Sequence, residues 1–123
     1  MIKILSLSLT ILVITFFTGC GKKAEPLIYH WGDYSYTATA YAMYGEKKEV
    51  LEKHLAELKK IIDESDGKKL RVAPGIYAEY GQILYETNKK TDAKTYLLLE
   101  KQVYPESTVF IDRVLLKLYG ENQ

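Results

Sequence analysis

A cationic start at Lys3, a largely apolar run from Ile4 to Phe17 and the close Phe17-Thr18-Gly19-Cys20 withhold the N-terminus from any folded domain. This is the layout of a secretory signal peptide that ends in a lipoprotein cleavage site, with small residues just before the cysteine. The spacing predicts a leader over residues 1–19, acyl chains attached to Cys20 and a mature chain that begins there. The fold must then be built from about 100 residues, enough for one domain with a single modest core. No disulfide can help, because Cys20 is the only cysteine and lipidation consumes it.

A transmembrane anchor is the competing reading of the same run, and it needs about 20 predominantly apolar residues. Ile4 to Phe17 is too short, and Gly21-Lys22-Lys23 follows the cysteine. The residue types have a chemical reason, since lipid transfer needs a thiol and the peptidase needs small side chains beside the cut bond. Phe17 stands where such sites usually carry leucine, and it is likewise large and apolar. Acyl chains contribute about 0.8 kcal/mol per buried methylene, so several of them hold a protein on a membrane stably. Gly21 after the cysteine, rather than aspartate, points to the outer membrane if sorting follows the common Gram-negative rule.

Loss of the leader takes Lys3 from the 17 Lys and Arg of the chain and leaves the remainder balanced against 16 acidic residues. No net field remains to steer nucleic acid or an anionic surface. Eleven tyrosines against one tryptophan and three phenylalanines suit shallow grooves and interfaces, because tyrosine buries a ring while its hydroxyl stays wet.

Residues 20–26, with Lys22, Lys23, Glu25 and Pro26, read as a lipidated tether, and residues 27–123 as the domain, opened by an aromatic arm over Leu27 to Tyr36. A short helix is predicted from Thr37 to Tyr44. From Lys47 to Glu64, Val50, Leu51, His54, Leu55, Leu58, Ile61 and Ile62 recur at helical steps along one face. Ser65-Asp66-Gly67 reads as a stop, Lys68 to Ala73 as a loop, and Pro74 as the first turn of a helix to Thr87. Asn88 suits a left-handed C-cap, and Thr91 is the expected N-cap of a helix over Asp92 to Tyr104. Ser107 is expected to cap a last helix that runs to Tyr119. No stretch alternates as a strand does, so the expected class is all-α.

Gly81, Ala93 and Pro105 fall at the eighth, twentieth and thirty-second positions of a tetratricopeptide repeat of about 34 residues. The first two lack bulk where paired helices cross, and the proline ends the second helix. Glu100 departs from the pattern, which usually has alanine there. A small bundle of tetratricopeptide-like helical hairpins is the expectation.

The segment Ala73 to Gly81, the run Glu100 to Arg113 with its Pro105-Glu106-Ser107, and Tyr29-His30-Trp31-Gly32-Asp33-Tyr34 together resemble a family of small bacterial lipoproteins. It is the domain-of-unknown-function family 4810, with a tetratricopeptide-like domain, and the resemblance covers nearly all of the mature chain. What it implies is genomic company: such proteins are commonly encoded beside a curli-secretion-type channel lipoprotein. It implies no activity.

Trp31 and Tyr34 suit a docking surface, since tryptophan and tyrosine dominate interface hot spots. Alternatively, Trp31 and Tyr29 strap the arm to the domain. Tyr77, Tyr80 and Tyr96 could line a groove for an extended peptide, or simply fill the core. Asp112-Arg113 is a candidate ion pair with Glu106 or Glu100. His30 and His54 are the only histidines, and His54 lies on an apolar helix face, where a satisfied buried histidine is the default. No metalloprotease spacing, nucleophile elbow or phosphate loop is present. The expectation is therefore a lipid-anchored, periplasm-facing outer-membrane protein that binds protein and is not an enzyme. Its partner would be another envelope lipoprotein, with no metal, cofactor or nucleic acid. A structural envelope lipoprotein without a client and a small-ligand or peptide carrier are the alternatives.

Overall fold

The computed structural model describes residues 27–120, so the leader, Cys20 and the tether lie outside the described residues. Five α-helices follow in order: α1 (Tyr34–Tyr44), α2 (Lys48–Gly67), α3 (Ile76–Glu86), α4 (Lys90–Val103) and α5 (Thr108–Tyr119), with a 3-10 turn over Pro105–Ser107 before the last. Among the described residues the only bridge is an isolated one between Tyr29 and Arg71, so the all-α expectation holds.

The apolar stripe of α2 seats Leu58 and Ile61 against Ile76, Tyr80, Ile83 and Leu84 of α3, and these residues form the main core. Leu97, Ile111 and Leu115 extend it between α4 and α5. Helices α3 and α4 form a tight antiparallel hairpin, closed by Asn88 at φ 65° and by the Lys89 N–H donating to the Leu84 carbonyl at 2.8 Å. Gly81 lies where they touch. A Cβ there would stand 2.9 Å from the Ala93 carbonyl oxygen and 3.1 Å from Leu97 Cγ, closer than side chains tolerate.

Several boundaries differ from the sequence expectation. Helix α1 starts at Tyr34 instead of Thr37, because Glu57 of α2 accepts the Asp33 N–H at 2.7 Å and caps it from a distant part of the chain. Helix α2 continues through Ser65-Asp66-Gly67, since Ser65 is buried and carries the packed face one turn further. Pro74 and Gly75 form a turn ahead of α3. Thr91 lies inside α4, which begins at Lys90 without a side-chain cap. Ser107 precedes α5 but turns its hydroxyl back to the Tyr104 carbonyl at 2.7 Å. The expected ion pair of Asp112-Arg113 with Glu106 or Glu100 does not form among the described residues: Asp112 pairs with Lys101 of α4 at 2.7 Å, and Glu100 is engaged by the Gly75 N–H.

Glu100, where alanine would be usual if the repeat spacing applied, has a structural task of its own. It is 2% exposed, and its Oε1 accepts the Gly75 N–H at 2.8 Å, ahead of the first turn of α3. A carboxylate suits a helix N-terminus. Alanine could not reach it.

Candidate functional site

Helices α1, α3 and α5 frame an open groove of about 450 Å³ whose floor includes Ile76, Ile83 and Leu97. Trp31, Tyr34 and Tyr41 form one wall, Phe110 and Val114 of α5 the other, and Glu79 is the charged residue of the lining. Trp31 is 45% exposed and Phe110 59%, so both keep large apolar faces open to solvent at the rim.

Local chemistry places Trp31. Gly32 turns the chain at φ 46°, and a Cβ at this position would run into Glu57 Oε1. Only glycine lets Glu57 reach the Asp33 N–H while the Trp31 ring swings to 5.5 Å from that of Tyr34. Upstream, the Arg71 N–H donates to the Ile28 carbonyl at 3.3 Å, Tyr29 packs on the core, and His30 Nε2 lies 2.9 Å from Glu64. The arm is thus strapped down by Tyr29 and His30, and Trp31 is delivered to the groove. Of the strap expected from Trp31 and Tyr29, Tyr29 packs on the core while Trp31 stays 45% exposed.

Beneath the wall lies a polar network that ties three helices together. His54 of α2 is fully buried; its Nδ1 is 3.0 Å from Thr37 Oγ1 of α1 and its Nε2 is 3.0 Å from Glu79 Oε1 of α3. An ionised carboxylate only accepts, so Nε2 carries a proton and donates to it. The Tyr34 hydroxyl donates to Glu79 Oε2 at 2.9 Å, and the Tyr41 ring stacks on His54 at 5.1 Å. Burial pushes the Glu79 carboxyl up, but the hydrogen bonds from His54 and Tyr34 and the charge of His54 outweigh it and hold it below the usual range. Tyr34 is pushed up to about 12, first by burial and then by its bond to Glu79 and the charge there. A hydroxyl, an imidazole and a carboxylate in line resemble a hydrolase relay. Here Thr37 is 3% exposed inside α1, and its hydroxyl lies within hydrogen-bond reach of the Asp33 and Tyr34 carbonyls as well as of His54.

Tyr77, Tyr80 and Tyr96 do meet, with Tyr80 edge-on to Tyr96 at 4.6 Å and Tyr77 stacked on Tyr96 at 6.4 Å. They meet on the other side of α3 from the groove. Tyr80 is buried in the core, and burial raises both Tyr77 and Tyr80. Trp31 and Tyr34, by contrast, are joined at the groove by Tyr41, Glu79 and Phe110, which sequence reasoning did not single out. Glu79 had one available signal, since it lies two residues before Gly81 on the side of α3 away from Tyr77 and Tyr80.

Among the described residues no group of three His, Cys, Asp or Glu side chains could hold a metal, and no helix is long and apolar enough to cross a membrane. The profile of a family described as a domain of unknown function (DUF4810) matches residues 28–114, and the chain belongs to that family. No curated protein and no solved structure matches the chain.

Proposed function

We propose that this member of the DUF4810 family is a non-catalytic protein-binding adaptor, held on the periplasmic side of the outer membrane by acylated Cys20 and receiving a partner segment in the α1–α3–α5 groove. The observation that carries this reading is the exposure of Trp31 and Phe110 on facing walls of an open trough, because such apolar rims mark interaction sites. The α3–α4 hairpin, with Gly81 packed on Ala93 and Pro105 just beyond the end of α4, supports a tetratricopeptide-like arrangement in which α1, α3 and α5 line one face. By family resemblance, the partner is an envelope secretion-channel lipoprotein.

A photo-crosslinking residue at Phe110 in the native envelope should capture an envelope lipoprotein, and one at Lys48 should not. Recovery of no envelope protein from either position counts against the adaptor. A carrier is the second reading, favoured by the groove's size, which falls within the range of small-ligand pockets. Mass spectrometry of the protein purified under non-denaturing conditions would then show a copurified small molecule or short peptide.

A further inference from the structure

The groove is electrically two-ended. Glu79 marks the end lined by Trp31 and Tyr34, with its side chain 29% exposed, His54 bonded to it from behind and no cation in the groove lining itself. Across Gln82, Phe110 and Val114 the trough continues into a second hollow of about 370 Å³, whose charged lining is Arg113 and Lys117. Neither of these makes an ion pair with a described residue. A carboxylate that shares a groove lining with two aromatic side chains is a surrounding that recognises a cation, by charge and by attraction to aromatic rings. An apolar middle and a cationic far end complete a pattern that one extended segment can match.

We propose that the trough takes an extended peptide that places a lysine or arginine side chain between Trp31, Tyr34 and Glu79, apolar side chains over Phe110 and Val114, and an acidic group at Arg113 and Lys117. The inference rests on the adaptor reading of this groove and adds the chemistry of the partner segment. The network behind Glu79 serves the same end: His54 and Tyr34 fix both carboxylate oxygens in place, so the charge is preorganised and costs little to order when a cation arrives. Each carboxylate oxygen retains a free lone pair for a further donor.

Trp31 is the chain's single tryptophan, so its emission reports on the groove. The full chain in mild detergent would be titrated with short synthetic peptides carrying a lysine, two apolar residues and a glutamate. Matched peptides would have norleucine for lysine or glutamine for glutamate. The charged peptide should shift Trp31 emission, and norleucine should weaken binding about fivefold. In Glu79→Gln that difference should collapse, and in Arg113→Glu the glutamine peptide should bind no worse than the charged one. The norleucine comparison uses the unaltered protein, so it stands even if Glu79→Gln unfolds. Equal binding of charged and neutral peptides would overturn the proposed chemistry and leave the groove reading intact. Failure of every peptide to perturb Trp31 would overturn both.

Discussion

Glu79 gathers its partners from two other helices, and the consequences are measurable as pH dependence. The folded carboxyl binds its proton less tightly than in the unfolded chain, where glutamate titrates near about 4.3. Stability from this group is therefore present above that value and is lost as acid titrates the folded carboxylate. Glu79→Gln should lower stability at neutral pH by about 1–3 kcal/mol and flatten the acid limb below about pH 5, read from urea unfolding across pH. Tyr34 has the opposite sign. Its folded value of about 12 lies above the ordinary 10.0, so its contribution is complete below pH 10 and vanishes as pH climbs toward 12. Tyr34→Phe should be less sensitive to alkali across that window, and a variant that loses stability as steeply as the parent would contradict the assignment. Gly32→Ala should push Glu57 off the Asp33 N–H, costing about 1–3 kcal/mol and altering Trp31 emission.

At the level of elements, the hairpin joint is the tightest contact. Alanine is a better helix former than glycine by about 1 kcal/mol, yet at Gly81 its methyl would meet the Ala93 carbonyl and overpack the joint. Gly81→Ala should lower the urea midpoint; a higher midpoint would mean the helices can part freely. Glu100→Ala should cost about 1–3 kcal/mol by stranding the Gly75 N–H, whereas Glu100→Gln keeps an acceptor and should cost less. Helix existence was legible because Leu58, Ile61 and their neighbours recur at helical spacing, and Gly81, Ala93 and Pro105 announced the hairpin. The starts of α1 and α3 were not, because their N–H groups are satisfied by Glu57 and Glu100 from remote sequence.

Across the molecule, the tyrosines serve less as a wet interface than their number suggested. The Tyr104 hydroxyl donates to the Val72 carbonyl, Tyr85 to Leu118 at 2.7 Å and Tyr119 to Lys90 at 2.6 Å, so rings that fill the space between helices also tie their backbones. This suits a small domain without a disulfide. If Cys20 carries the lipid, Cys20→Ala should move from the membrane to the soluble fraction while keeping its helical circular dichroism; retention on the membrane would refute the anchor. The sequence by itself determined the helical class, the hairpin and the leader expectation, because each is written in local periodicity or spacing. The groove, the pairing of buried His54 with half-buried Glu79 and the choice of Trp31 over Tyr80 as the exposed aromatic were decided only by tertiary structure. Local periodicity marks the apolar stripe of a helix, but which residues of separate elements meet, as Trp31, Glu79 and Phe110 do around the groove, depends on how those elements pack.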